Sequence, residues 1–331
     1  MSKQKLRLGV IGAGYWGANL IRVCSELGVL DTVCDANPDT LAMLRERYPD
    51  IRLERDIRAL LARNIDAVVI ASPVALHAEH ALEAIAAGKH VFVEKPLAMS
   101  PEEGTAVVRA ARAGERTLFV GHLLLYHPAV RRMLDLIHEG EIGHVRHVRS
   151  RRLSWGKLRA HENVWWSFAP HDIALTLEIF DAAPQTVRGA TVGFVQRNIA
   201  DFAYADLMFT GGRTAHIEAS WLDPDKSSRL DVFGSTGVLR LIDSREGAHL
   251  TLTPCGDRRD DLGRPQLWRE DERDIEFPSY EPLRAELEAF LHAVEHGTRP
   301  LTDGEEGLRV VQVLAMLGAN DYVHPSLEAL V

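Results

Sequence analysis

Several features are scarce in this 331-residue sequence, and each scarcity excludes something. No apolar run reaches the ~20 residues that a membrane-spanning helix needs. The apolar stretch after the basic start "MSKQK" is "LRLGVIGAG", too short and too rich in glycine for a signal peptide. Cysteine is rare: Cys24, Cys34 and Cys255 lie far apart, are odd in number, and show neither a C-x-x-C pair nor a metal-ligand spacing. That excludes a disulfide framework and suits a reducing compartment. Basic charge is outweighed, with 38 Lys and Arg against 47 Asp and Glu and a formal net charge of −9, so nucleic acid and anionic lipid are poor partners. Basic runs interleaved with aromatics, as in nucleic-acid binders, are lacking. The expectation is a cytoplasmic protein with neither nucleic acid nor membrane as partner.

What is present is apolar content of 46%, enough for two domains that each bury a core. From Leu6 to His122 short aliphatic runs alternate with helical stretches: "LRLGVIGA", "LDTVCD", "DAVVIAS", "HVFVEK" and "TLFVGH" read as strands, separated by helices such as "WGANLIRVCSELG" and "PEEGTAVVRAARAG". Gly28 is placed to end the first helix. Such alternation implies a parallel sheet with helices on both faces. Beyond Gly121 the rhythm changes. "HPAVRRMLDLIHEG" reads as an amphipathic helix and "HVRHVRSRRLSW" as a long strand. "FAYADLMF-TGGR-TAHIEASW" reads as a hairpin turning on Gly211 and Gly212, and "RLDVFGSTGVLRLID" as a second strand pair. Two helices close the chain, and the polar run from Gly256 to Asp274 is expected to be a loop or irregular edge. The fold class is therefore α/β: a doubly wound (Rossmann) domain over 1–122, followed over 123–331 by an α+β domain with a large open, mostly antiparallel sheet. The last helices are free to pack back on the first domain.

"VIGAGYWGANL" carries Gly12, Gly14 and Gly17 in the spacing G-x-G-x-x-G. Alone this is a weak signal, but here it joins a strand to a helix and is followed by another strand. Gly12 permits the tight turn, Gly14 lets backbone approach a pyrophosphate, and Gly17 lets helix and strand pack closely. The helix N-terminus offers its N–H groups to phosphate. Asp35 ends the second strand ~20 residues on, where a carboxylate accepts the ribose hydroxyls. Since Ala36 and Asn37 bring no arginine for a 2′-phosphate, NAD is expected rather than NADP. "VEKP" ends a later strand at the carboxyl edge of the sheet, where ligands of this fold bind, and its proline constrains Lys95.

These stretches, "GAGYWG", "EKPLAMSPEEG", "GHLLLYHPAV" and "DGEEGLRVVQVL", resemble the Gfo/Idh/MocA oxidoreductases, the family of glucose–fructose oxidoreductase and inositol dehydrogenase. The resemblance covers nearly the whole chain and is weakest between Arg245 and Tyr280. It implies NAD(P)-dependent chemistry on a sugar-like alcohol with Lys95 in the active site, a cis Lys95–Pro96 bond, and a homodimer or homotetramer formed through the second domain's sheet. It also implies cofactor contacts from Gly12, Gly14, Tyr15, Trp16, Gly17, Asp35, Ser72, Pro73, His77, Glu94 and Lys95. Within the family, "YWGANL", "LLLYHPAVR", "ENVWWSFAPHD" and "SWLDPDK" are most similar to the nucleotide-sugar 3-dehydrogenases. These oxidise the C3 hydroxyl of a sugar such as UDP-N-acetylglucosamine, and the 3-keto product feeds amino-sugar or lipopolysaccharide synthesis. Two rival readings stand beside it: a dehydrogenase of a free polyol such as inositol, or a reductase of a keto-deoxysugar; and a non-catalytic NAD(H) sensor.

In "WWSFAPHDIALTL" the family commonly has an acid one helical turn before its catalytic histidine. Here His171 holds the histidine position and Ser167 the acid position, so a carboxylate partner must come from elsewhere or be absent. Asp172 points about 100° away on an ideal helix and is not assumed to substitute. Histidine titrates near neutrality, which suits a general base, and a cationic Lys95 suits a developing alkoxide. The resemblance adds Tyr126, Arg152 and Asn163 to Lys95 and His171 as substrate contacts. In the basic cluster "RHVRSRRLSWGKLR", Arg146, Ser150 and Arg152 share one strand face and Arg149 and Arg151 the other. Salt bridges on a solvated strand and a contact with a substrate anion are equally weighted readings of the cluster, except at Arg152. His77 and His80, three apart in "HAEH", have no acid or cysteine to complete a metal site, so no metal is expected.

Overall fold

In a computed structural model, residues 5–156, 158–159, 162–196, 198–244, 246–317 and 322–323 are described. The elements in chain order begin with β1 (Leu8–Ile11), α1 (Gly17–Glu26), β2 (Leu30–Cys34), α2 (Pro38–Arg47), β3 (Arg52–Glu54), α3 (Ile57–Leu61), β4 (Ala67–Ile70), α4 (His77–Ala86), β5 (His90–Glu94), α5 (Pro101–Ala113) and β6 (Leu118–Gly121). Then come α6 (Pro128–His138), β7 (His147–Trp155), α7 (Val164–Phe180), β8 (Thr186–Val192), β9 (Phe202–Met208), β10 (Thr214–Ser220), β11 (Leu222–Phe233) and β12 (Gly237–Ser244). The chain continues with β13 (Gly247–Arg259), β14 (Pro265–Arg269), β15 (Arg273–Asp274), α8 (Pro282–His296), α9 (Gly304–Met316) and β16 (Tyr322–Val323).

Two compact units result. The first joins residues up to Tyr126 with Tyr280–Gln312, and the second joins His127–Ser279 with the chain from Val313. The first unit's sheet is all parallel, in the order β3-β2-β1-β4-β5-β6, so the chain runs outwards from β1 in both directions. That reversal opens a crevice at the carboxyl ends of the strands beside β1, where ligands of doubly wound sheets sit. β1 and β4 are buried along their whole length, as strands covered on both faces must be. Helix α8 returns to this unit because Phe290 packs edge-on against Phe92 and Phe119, with ring centroids 5.7 Å apart in each case.

In the second unit ten strands form one mixed sheet, with the order β14-β13-β12-β11-β7-β10-β9-β8-β16 and β15 paired to β13. Its neighbours are antiparallel except for β10 beside β7 and β16 beside β8. The hairpin from β9 to β10 turns on Gly211 and Gly212, both at φ +74°. Of the two expectations for the polar run Gly256–Asp274, loop or irregular edge, the structure shows the edge: the run holds the end of β13 together with β14 and β15. Its polarity is that of an edge hairpin whose side chains are mostly exposed. Strand β3 and helix α3, short and weakly patterned, have no counterpart in the periodicity.

Candidate active site

The glycine turn sits between β1 and α1 as its spacing requires. Gly12 has φ +92°, and a Cβ there would lie 2.6 Å from the Ala71 carbonyl oxygen. At Gly17 a Cβ would come within 2.1 Å of the Gly12 oxygen, so no larger residue fits under the turn. Around Gly14 the space is open to 4 Å, a cradle that a side chain would fill and a pyrophosphate can enter. The turn leads directly into the N-terminus of α1, which begins at Gly17. Asp35 stands at the end of β2, where one carboxylate oxygen accepts from the Ala13 N–H at 2.7 Å and the other from Asn37 at 2.8 Å. The carboxylate thus braces the turn and keeps lone pairs for ribose hydroxyls. These residues fit a dinucleotide. Tyr15, 91% exposed, projects beside the cradle.

Trp16 reaches across to β5, where its Nε1–H donates to Glu94. Glu94 also accepts from the Lys95 N–H at 3.3 Å, so it joins the glycine turn to the turn that presents the lysine. Burial pushes the Glu94 carboxyl up to about 7, against the opposing pull of Trp16 and Lys95. Gly121 makes room for it, since a Cβ there would meet the carboxylate at 3.1 Å. The Lys95–Pro96 peptide is cis. Ser72 and Pro73 follow β4, with the Ser72 hydroxyl 2.9 Å from His80 Nδ1. His77 is buried, and both its ring nitrogens face backbone carbonyls, those of Pro96 and Ser72. A part in cofactor binding would therefore pass through the two loops it holds. Among the described residues no cluster of three or more His, Cys, Asp or Glu could hold a metal ion.

Behind Glu94 lie groups that sequence reasoning missed. His122 Nδ1 is 2.6 Å from Glu306, both buried, and Glu286 on α8 is fully buried. Burial first, and then the Glu94 charge, raises the Glu286 carboxyl well above its ordinary value. A signal for Glu286 existed: with Leu283, Leu287 and Phe290 it lies on the apolar stripe of its helix. Tyr126 belongs to this interior, its ring stacked on Phe119 and its hydroxyl 3.1 Å from Thr302.

In the second unit α7 carries Ser167 and His171 one turn apart, with Ser167 buried and His171 half-buried. Asn163 caps this helix, its side-chain oxygen accepting from the Trp166 N–H at 3.0 Å. Asp172 faces β7 instead of the His171 side. It accepts from Arg152 Nε at 2.8 Å, from Arg152 Nη2 at 3.0 Å and from the Ser150 hydroxyl at 2.6 Å. Two of the three Arg152 nitrogens are thus committed, and the third lies 3.3 Å from Ser228. Arg149 and Arg151, on the opposite face, pair with Asp231 and Glu218. The structure therefore brings Arg152 to the helix of His171 as an anchor, through an aspartate that the sequence pattern left unassigned.

A family model described as the NAD-binding Rossmann fold of the Gfo/Idh/MocA oxidoreductases matches residues 6–122, and one for that family's C-terminal domain matches 130–240. A UDP-N-acetylglucosamine 3-dehydrogenase of Acidithiobacillus ferrooxidans is 28% identical over 92% of this chain and 94% of its own. A solved structure of the UDP-N-acetylglucosamine 3-dehydrogenase from that organism superposes with a TM-score of 0.82 at 27% identity, covering 94% of this chain and 96% of that one. An inositol 2-dehydrogenase of Klebsiella pneumoniae is 37% identical, over 42% of this chain and 43% of its own.

Proposed function

We propose that this chain, which belongs to the Gfo/Idh/MocA oxidoreductase family, oxidises the C3 hydroxyl of a nucleotide sugar, UDP-N-acetylglucosamine foremost, with NAD as acceptor. The observation that carries the sugar is the end-to-end likeness to a 3-dehydrogenase of that substrate in both sequence and structure, at 28% identity and a TM-score of 0.82. A myo-inositol 2-dehydrogenase of Thermotoga maritima also matches end to end, at 26% identity over 91% of this chain, and keeps the polyol reading as the rival to be tested. The preference for NAD rests on Asp35, which repels a 2′-phosphate, and on the neutral Ala36 and Asn37 that follow it. Assembly as a homodimer or homotetramer through the sheet of the second unit belongs to the same reading.

The chemistry follows from what each group can do. The bound nicotinamide supplies the hydride acceptor. The turn of Gly12, Gly14 and Gly17 holds its pyrophosphate, and Asp35 the adenine ribose. Lys95, held at its backbone by Glu94, binds the sugar hydroxyl and stabilises the negative charge that grows on its oxygen. His171 takes the hydroxyl proton. The anchor of Asp172 on Arg152 fixes the helix turn that presents it.

NADH formation with UDP-N-acetylglucosamine, and none with inositol or the free sugar, is the expected result. Turnover of inositol without UDP would transfer the protein to the polyol reading, and no turnover with any sugar to the sensor reading. A clear preference for NADP in kcat/KM would overturn the role of Asp35. His171→Asn should lower kcat by ~10²–10⁴-fold with little change in NAD affinity, and near-normal kcat would remove His171 as the base.

A further inference from the structure

His77 opens α4 with its ring 1% exposed. Nδ1 lies 2.8 Å from the Pro96 carbonyl oxygen and Nε2 lies 2.9 Å from the Ser72 carbonyl oxygen. These carbonyls belong to the two segments that leave the carboxyl ends of β5 and β4. Pro96 directly follows Lys95, so the ring grips the turn that carries the lysine. We propose that His77 is a positioning residue for Lys95, holding the Pro96 carbonyl through a proton on Nδ1; the proposal rests on the part assigned to Lys95 above.

The proton count decides which contact matters. A ring nitrogen must carry hydrogen to bond a carbonyl, and a neutral imidazole carries one. Both bonds at once require the imidazolium. Burial weighs most heavily against that charge, and the positive Lys95 and His80 add to it, so the ring is pushed below the ordinary histidine value despite the two carbonyls. His80 is itself pushed down by burial, with Glu79 and Glu83 acting the other way. A neutral His77 must leave one carbonyl without its bond. The Pro96 contact is the shorter and is buried, whereas the Ser72 contact is only partly buried and its carbonyl can turn to water. An unmet carbonyl costs most where water cannot reach it. The single proton therefore belongs on Nδ1, and with it the hold on the Lys95 turn.

Two substitutions separate the two contacts. Asparagine places its amide nitrogen near the site of Nδ1, and glutamine places its own near the site of Nε2. His77→Asn keeps the Pro96 bond and should stay close to wild type in kcat. His77→Gln keeps only the Ser72 bond and should lose roughly tenfold to a hundredfold in kcat, as a misplaced reacting group does, with KM for NAD unchanged. Equal losses in the two variants would overturn the proposal and leave His77 a packing residue. The ¹⁵N shifts of the wild-type ring at neutral pH give a second readout that needs neither turnover nor a stable variant. Hydrogen on Nδ1 is expected, and hydrogen on Nε2 overturns the clamp. If Nδ1 carries the hydrogen while Lys95→Ala keeps its kcat, the failure lies with Lys95, and the positioning role falls with it.

Discussion

Each unit buries a carboxylate next to a segment assigned to chemistry, and the two are handled in opposite ways. Asp172, beside His171, is gripped by both Arg152 and Ser150, with three hydrogen bonds between 2.6 and 3.0 Å. Glu286 faces β5, where Phe290, one turn along its helix, meets Phe92, two residues before Glu94. Neither of its carboxylate oxygens has a hydrogen-bond partner among the described residues. An ionised carboxylate so placed would cost several kcal/mol, so Glu286 keeps its proton and the negative charge falls to Glu94, which has Trp16 and the Lys95 amide to receive it. The difference follows from the task. A helix turn that must aim a base is fixed by a directional ion pair, whereas a residue behind a strand need only fill space and keep a second charge away from Glu94.

Breaking the first arrangement should have the largest effect on stability. Asp172→Ala strands the Arg152 guanidinium, and removing one partner of a buried pair costs about 3–5 kcal/mol. Urea unfolding measures it, and adding Arg152→Met should recover most of the loss. A single-mutant cost under ~1 kcal/mol would mean that Arg152 finds water and does not anchor α7.

The second arrangement is read by pH. A carboxyl whose folded pKa is raised contributes stability in full below its unfolded value and loses it as pH rises through the folded value. For Glu286 that loss begins as pH rises past the ordinary carboxylate value and is complete above its raised one, with Glu94, at about 7, sharing in it. One such group tilts stability by at most about 1.4 kcal/mol per pH unit. Glu286→Gln keeps the shape without the charge, so the fall of the urea midpoint towards alkaline pH should become shallower. The same slope in variant and wild type would show that Glu286 is not the buried acid.

The two arrangements also mark how far the sequence could be read. The glycine turn stands where expected because backbone geometry dictates the residue there: at Gly12 and Gly17 nothing larger fits. Asp35 follows at the spacing the fingerprint requires, and the cis Lys95–Pro96 bond agrees with what the family resemblance implied. The alternating pattern likewise carried the parallel sheet. Side-chain partnerships were less legible. Arg152 and Asp172 are 20 residues apart in sequence, and only the docking of α7 on β7 joins them. Glu286 sat visibly on an apolar stripe, yet its neighbour Glu94 lies nearly two hundred positions away and no periodicity links the two. The hairpin at the sheet edge was hidden by its own polarity, since exposed edge strands lack the alternation that marks half-buried ones.

A third carboxylate sharpens the contrast and carries the smallest expected effect. Asp231 on β11 is fully buried, lies in register with Arg149 of β7 and Arg240 of β12, and is also reached by Arg229. Burial works to raise its pKa, but the arginines prevail and hold the carboxyl below the ordinary range. Its stability contribution is therefore present above the ordinary carboxylate value and disappears as pH falls through the lowered one, the reverse of Glu286. Unlike Asp172, it has partners to spare. Arg229→Ala leaves two guanidiniums in place and removes a side chain already 31% exposed, so the cost should stay within the 0–1 kcal/mol of an ordinary surface pair. The acid side of the urea-midpoint profile should move only slightly upwards in pH. A cost near that of Asp172→Ala would mean that the three arginines act as one network, and that a shared carboxylate is no more tolerant of loss than one held by a single arginine.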